Sequence, residues 1–225
     1  MKTIIISLGG SVIVPKEFNL AYLKKFKQLV LDFVKKGNRI VLVTGGGQTN
    51  RDYNKAAKQL SKISDQDLDW IGIYTTKLNA QLVRSMFGKL AFEKIIENPT
   101  QKIKTNKKIL VGSGWLPGCS SDKDAVLLAK NLKAKEIINL FDQDYVYDRD
   151  PDKFKNAKPF RKLSWSRYRK MFSMKWSPRL STPFDPEAAK LAQRLKMKVV
   201  IIKGTDLNNI KNYLSGKKFR GTEIS

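Results

Sequence analysis

The chain has 225 residues, 44 of them lysine or arginine against 20 acidic ones, with no histidine and one cysteine. The missing imidazole excludes Ser-His and Cys-His nucleophile pairs, histidine acid–base chemistry and the usual zinc sites. The lone Cys119 excludes a disulfide framework and fits a reducing, cytoplasmic compartment.

The formal net charge of +24 points to anionic partners: nucleic acid, anionic lipid or phosphate-bearing metabolites. The alternative is a solvated, lysine-rich surface, and the spread of lysines over the whole chain speaks against one dedicated groove. Apolar residues make up 41%, enough for a core. No apolar run reaches about 18 residues, so no membrane span is expected. No basic leader precedes the first apolar stretch, so no signal peptide is expected. With no linker or internal repeat, residues 1–225 read as a single domain.

Thr3–Leu8 reads as a buried strand ending in Gly9-Gly10-Ser11. A loop from Val12 to Asn19 holds Pro15. Leu20 to Lys36 carries Leu23, Phe26, Leu29, Val30, Phe33 and Val34 at helical spacing, and Gly37-Asn38 ends it. Arg39–Val43 is the next strand, completing a β-α-β unit and hence a parallel pair. It stops at Gly45-Gly46-Gly47, and a helix-compatible segment, Asn50 to Leu60, follows with Arg51 in its first turn. Glycines admit φ > 0 and put no Cβ in the way of a ligand. Their N–H groups and a helix N-terminus suit an anion, and Arg51 adds a planar, bidentate fork. One such turn is more readily an ordinary tight turn; two at strand ends suggest two phosphoryl groups held close. Neither turn continues as a Walker A loop or as G-x-G-x-x-G.

Ser64 offers an N-cap with acidic residues in the first turn for a helix running to about Met86. Asp69, Gly72, Thr76, Asn79 and Ala80 share one side of it, as a packing stripe or a ligand wall. Phe87 to Thr105 is the least legible stretch, with a short helix expected around Glu93 to Ile96. Lys107–Val111 is a strand, followed by a third glycine-rich end from Gly112 to Asp122. Ser120 or Ser121 caps a helix from Asp122 to Leu132. The strand Glu136–Leu140 leads into Asp142–Pro151, where acidic residues alternate with aromatics. That pattern suits a base and a metal-bound phosphate, or simply a polar turn. A helix over Lys162–Phe172 carries Trp165 and Tyr168, and Trp176–Pro183 is a loop. A helix from Asp185 to Leu195 has Pro186 in its first turn. The strand Met197–Ile202, a helix over Asp206–Leu214 and a strand-like tail at Thr222–Ile224 complete the chain.

In order, the chain carries GGS, GGG with a following arginine, D-x-x-G-x-x-x-T-x-x-N-A, G-x-x-P-G before a capped Asp, and D-x-V-Y-x-x-D-P. This order resembles the amino acid kinase superfamily over nearly the whole chain, most of all the archaeal-type UMP kinases. The resemblance implies an α/β/α sandwich around a mainly parallel sheet, assembled as a homo-oligomer, usually a hexamer. It implies transfer of the ATP γ-phosphoryl group to UMP with Mg²⁺, and no metal held by the protein itself. By position, Gly9, Gly10 and Ser11 would line the phosphate site, with Gly47 and Arg51 on the ATP phosphates. Phe141, Asp142, Tyr147 and Asp150 would flank the nucleoside of ATP. Gly46, Asp69 and Thr76 would meet UMP, as would the loop of Trp115, Leu116, Pro117, Gly118, Cys119, Ser120 and Ser121. Asp122 matches the aspartate that organises the cationic groups, which makes Asp122, Arg51 and Gly10 the implied catalytic set.

The chain departs from the family pattern at four places. Ser7 stands where many members have a lysine, leaving Arg51, Lys16, Lys123 or Mg²⁺ to neutralise charge. Tyr145 replaces a usual glycine, Phe141 a small polar residue, and Trp115-Leu116 a more polar pair. Two alternatives stay open. One is a kinase of the same fold with a carboxylate or carbamate acceptor. The other is a non-catalytic nucleic-acid-binding module using Trp165, Tyr168, Phe172 and Trp176 among basic residues, though a helix burying its apolar face reads the same way.

Overall fold

A computed structural model of the protein describes residues 1–172 and 182–225. The strands, in chain order, are β1 (Thr3–Leu8), β2 (Arg39–Thr44), β3 (Ile109–Gly112), β4 (Glu136–Phe141), β5 (Val146–Tyr147), β6 (Pro159–Phe160), β7 (Lys162–Leu163), β8 (Lys198–Lys203) and β9 (Thr222–Ile224). The helices are α1 (Gly10–Ile13), α2 (Leu20–Lys35), α3 (Gly47–Leu60), α4 (Asp65–Phe87), α5 (Ser121–Asn131), α6 (Trp165–Met171), α7 (Pro186–Arg194) and α8 (Leu207–Leu214). One sheet runs β3-β2-β1-β4-β8-β9-β7. It is parallel except where β9 runs against β8. β5 and β6 form a small antiparallel pair of their own.

Successive strand residues face opposite sides of a sheet. Ile4, Ile6 and Leu8 of β1 therefore pack with α2, α4 and α8, while Ile5 packs with α5, α6 and α7 on the other face. The chain steps outward from β1 to β2 to β3, then returns past β1 to β4 and on to β8. Right-handed crossovers in opposite directions require helices on opposite faces, which is the observed sandwich. The reversal of direction makes the carboxyl end of β1 a topological switch point, where parallel sheets open a crevice.

The turn after β1 and the turn after β2 meet there backbone to backbone. A Cβ on Gly10 would overlap the Gly47 nitrogen. A Cβ on Gly45 would lie 2.5 Å from the Gly10 nitrogen, and one on Gly47 2.5 Å from the Gly10 carbonyl oxygen. Gly47 also has φ +67, a left-handed conformation that side chains oppose.

Several expected boundaries move. Gly10–Ile13 is a short helix rather than the start of a loop, and α3 begins at Gly47, three residues before Asn50. No helix forms at Glu93–Ile96; Ala91 and Ile96 instead bridge in parallel to Ile109 and Gly112, extending the sheet edge. Lys162–Leu163 is strand, so the following helix starts at Trp165 behind its Ser164 cap. The Trp176–Pro183 loop lies outside the described residues except for Thr182 and Pro183, and so does Trp176. Trp165 and Tyr168 are core residues, 4% and 1% exposed. Their polar atoms are taken too: the indole N–H donates to the Met197 carbonyl at 2.9 Å and the Tyr168 hydroxyl to that of Phe184 at 2.7 Å. That burial withdraws both from stacking on bases. Among the described residues, no helix is long and apolar enough to cross a membrane.

Gly10→Ala is expected to destabilise the fold by about 3 kcal/mol in urea unfolding, because backbone must move. Gly37→Ala, where φ is +87 but nothing lies within 4 Å, is expected to cost about 1 kcal/mol of backbone strain alone. Equal losses would contradict the close packing of the two turns.

Candidate active site

The turn after β2 is held by α4. Asn79, 3% exposed, donates through Nδ2 to the carbonyl of Gly45 at 2.8 Å and of Gly46 at 3.1 Å. Those carbonyls belong to a turn that cannot pair them within a strand, and an unpaired buried carbonyl costs free energy. Asn79 therefore fixes the turn. Gly46 is equally constrained, since a Cβ there would lie 2.7 Å from Asn50 Cβ and 2.9 Å from Thr75 Oγ1. On the other side, a Cβ on Gly9 would lie 3.0 Å from the Leu140 carbonyl oxygen. The β1 turn thus spans from the end of β2 to the end of β4.

Ser7 shares the sheet face of Ile5, so its side chain points toward the N-terminus of α5. Its hydroxyl donates to Asp122 Oδ1 at 2.9 Å. The other carboxylate oxygen accepts the Asp185 N–H at 3.1 Å. Burial pushes the Asp122 pKa up to about 6, opposed by those two hydrogen bonds. Asp185 itself caps α7, accepting the Ala188 N–H at 2.6 Å, and burial raises its pKa as well. Asn139 is the register partner of Ser7 on β4, and its amide donates to the Pro183 carbonyl at 2.6 Å. Ser7, through Asp122, and Asn139 thus tie Asp185 and Pro183 to the sheet.

The loop after β3 is pinned at several points. The Thr76 hydroxyl accepts the Gly114 N–H at 2.8 Å while donating to the Ile73 carbonyl at 2.7 Å. Asp69 Oδ2 accepts the Gly118 N–H at 2.8 Å, where Gly118 has φ +75. Ser120 caps α5 by accepting the Lys123 N–H at 3.2 Å. Asp124, fully buried, accepts the Trp115 N–H at 3.2 Å and the Cys119 thiol at 3.1 Å.

Two clefts open at this edge. The first, about 330 Å³, is lined by Gly46, Asp69, Thr76, Leu116, Cys119, Ser120, Ser121 and Asp122, with Asn50, Thr182 and Asp185 added. Trp115, Pro117 and Gly118 belong to the same loop but lie outside that lining. The second, about 400 Å³, is lined by Phe141, Asp142, Tyr147 and Asp150, with Tyr145, Phe172 and Pro183 added. The segment 182–185 touches both clefts, through Thr182 and Asp185 on one and Pro183 on the other. Gly9 and Gly10 lie in the turn that links the strand ends behind them. Ser11 is exposed on α1. Arg51 is exposed too; its Nε donates to Gln48 Oε1 at 2.9 Å and its guanidinium to the Pro15 carbonyl at 3.3 Å. It stands on α3 beside the first cleft but is absent from its lining.

Asn79, Asp124, Asn139 and Asp185 went unassigned on sequence grounds. Asn79 and Asp185 sat in patterns with a sufficient plain explanation, a packing stripe and a helix cap. Asn139 could have been flagged as a polar residue inside an apolar strand. Among the described residues, no group of three or more His, Cys, Asp or Glu side chains could hold a metal ion.

A sequence model of the Amino acid kinase family matches residues 2–203. A protein named uridylate kinase from Thermoplasma volcanium is 34% identical over 99% of this chain and 97% of its own length. Another of that name from Sulfolobus acidocaldarius is 31% identical over 92% of this chain and 93% of its own. The crystal structure of uridylate kinase from Archaeoglobus fulgidus superposes with a TM-score of 0.83 at 30% identity, covering both chains fully. By its sequence and its fold, the chain belongs to the amino acid kinase family.

Proposed function

We infer that the protein is a UMP kinase, a nucleoside monophosphate kinase that moves the γ-phosphoryl group of ATP to UMP to give UDP and ADP. The observation that carries this reading is a pair of clefts at the carboxyl edge of the sheet, one lined by Gly46 and Asp122 and the other by Phe141 and Asp150, with the segment 182–185 touching both. The relatives named above fit it. We read residues 1–225 as one domain of that family, working as a homohexamer in keeping with the resemblance.

The first cleft takes UMP and the second the nucleoside of ATP. Phosphoryl transfer needs positioning and charge neutralisation, and the acceptor phosphate is already a nucleophile. The missing histidine is therefore no handicap. Mg²⁺ would come with ATP and would supply neutralisation of the charge that develops on the transferring phosphoryl group. Gly9, Gly10, Gly46 and Gly47 let backbone stand close to the phosphates, and no side chain intervenes. Asp122 anchors the floor between the clefts through Ser7 and the Asp185 N–H. Position 7 supplies no cation, so fixed positive charge falls to Arg51, Lys16 or Lys123. The surplus of cations elsewhere draws anionic nucleotides toward the surface.

Purified protein with Mg-ATP and a panel of nucleoside monophosphates, carboxylates and carbamate is expected to yield UDP from UMP in preference to all other products. Turnover of a carboxylate with none of UMP would replace the acceptor. Arg51→Ala is expected to lower kcat by about two orders of magnitude; an unchanged kcat would remove Arg51 from the transition state. The acid limb of kcat/KM for UMP supplies a third check. Asp122 has a raised pKa, so it takes a proton as pH falls through about 6. The Ser7 hydroxyl favours its ionised form, and Ser7→Ala is expected to move the limb to higher pH. The acceptor phosphate also titrates near pH 6, so the shift between the two proteins is the informative quantity, and an unmoved limb would count against Asp122.

A further inference from the structure

The loop from Trp115 to Cys119 is gripped by two carboxylates with different surroundings. Asp69 lines the first cleft and holds the middle of the loop through the Gly118 N–H at 2.8 Å. Asp124 lies behind the loop, 0% exposed. It holds both ends: the Trp115 N–H on Oδ2 at 3.2 Å, where the chain leaves β3, and the Cys119 thiol on Oδ1 at 3.1 Å, where it enters α5. Among the described residues, Asp124 makes no salt bridge; Lys123 lies near enough to favour its charge, and Asp122 nearby opposes it. A buried carboxylate with no direct ion pair is a poor contributor to stability. Its two hydrogen bonds instead fix the shape of one loop.

We propose that Asp124 is a positioning residue of the acceptor site, keeping the Trp115–Cys119 loop in its UMP-binding shape from behind. The identity of the acceptor rests on the UMP kinase reading; the grip on the loop does not. A second consequence follows for Cys119. Its thiol lines the cleft, yet burial and the neighbouring Asp124 carboxylate hold its pKa well above the usual thiol range. The thiolate is the reactive form, so Asp124 masks a side chain that the cleft otherwise leaves accessible.

Cys119 is the only cysteine in the chain, so an aromatic disulfide reagent reports on it alone. Asp124→Asn is expected to speed its modification about tenfold. The same variant is expected to raise KM for UMP about tenfold while kcat and KM for ATP stay within about twofold. Unchanged thiol reactivity, or a KM for ATP that rises in step with that for UMP, would overturn the proposal. Should Asp124→Asn fail to fold, Cys119→Ala and Cys119→Ser replace it. Alanine loses the donor and is expected to raise KM for UMP, and serine restores an O–H donor and is expected to recover most of the loss. Identical values for the two would overturn the proposal as well. If the wild-type protein proved to use another acceptor, the thiol measurement would still read the grip of Asp124, separately from the reaction.

Discussion

Two backbone turns touch with no side chain between them, and the rest of the site is built around that contact. The turn after β1 lies against the turn after β2, with Gly10 and Gly47 so close that neither tolerates a Cβ. Packed apolar strands on either side hold the contact: β1 is flanked by β2 and β4 in parallel register. Asn79 secures the β2 turn from α4. The floor of the site is therefore made of peptide groups, the groups best able to approach a phosphate closely and donate to it.

The electrostatics of the floor oppose those of the surface. The chain carries +24, yet three carboxylates, Asp122, Asp124 and Asp185, gather at the N-termini of α5 and α7. Burial raises the pKa of all three. The hydrogen bonds from Ser7 and the backbone stabilise Asp122 without neutralising it. Under the reading proposed above, such a floor would call for positive charge brought from outside.

Glycine illustrates how far residue type alone carries an argument. The turns at Gly9-Gly10 and Gly45–Gly47 read from sequence as space left for a ligand, which is one consequence of a missing Cβ. The structure supplies a second: these glycines let two loops and two helices approach each other. Both demands act on the same atoms, and neither excludes the other. The aromatic run at Trp165 and Tyr168 taught the opposite lesson. Beside lysines and arginines it resembled a stacking surface, but the rings lie beneath α7 and β8, since a helix of seven residues stays folded mainly by burying its apolar side.

Periodicity determined the core strands β1 to β4 and β8, the long helices and the parallel arrangement, because burial imposes a repeat of two on strands and 3.6 on helices; the short strands β5, β6 and β7 were not legible in it. Motif order pointed to the three glycine-rich strand ends and to part of each cleft's lining, among them Asp69, Thr76 and Asp122 in one and Phe141, Tyr147 and Asp150 in the other. What tertiary structure decided was which polar groups meet. Ser7 finds Asp122 over 115 positions of chain and Asn139 finds Pro183 over 44. The Glu93–Ile96 stretch became sheet edge rather than helix because an open strand, β3, lay beside it. Local sequence sets local preference; a hydrogen bond across the fold depends on register and crossover direction, which exist only once the sheet is assembled.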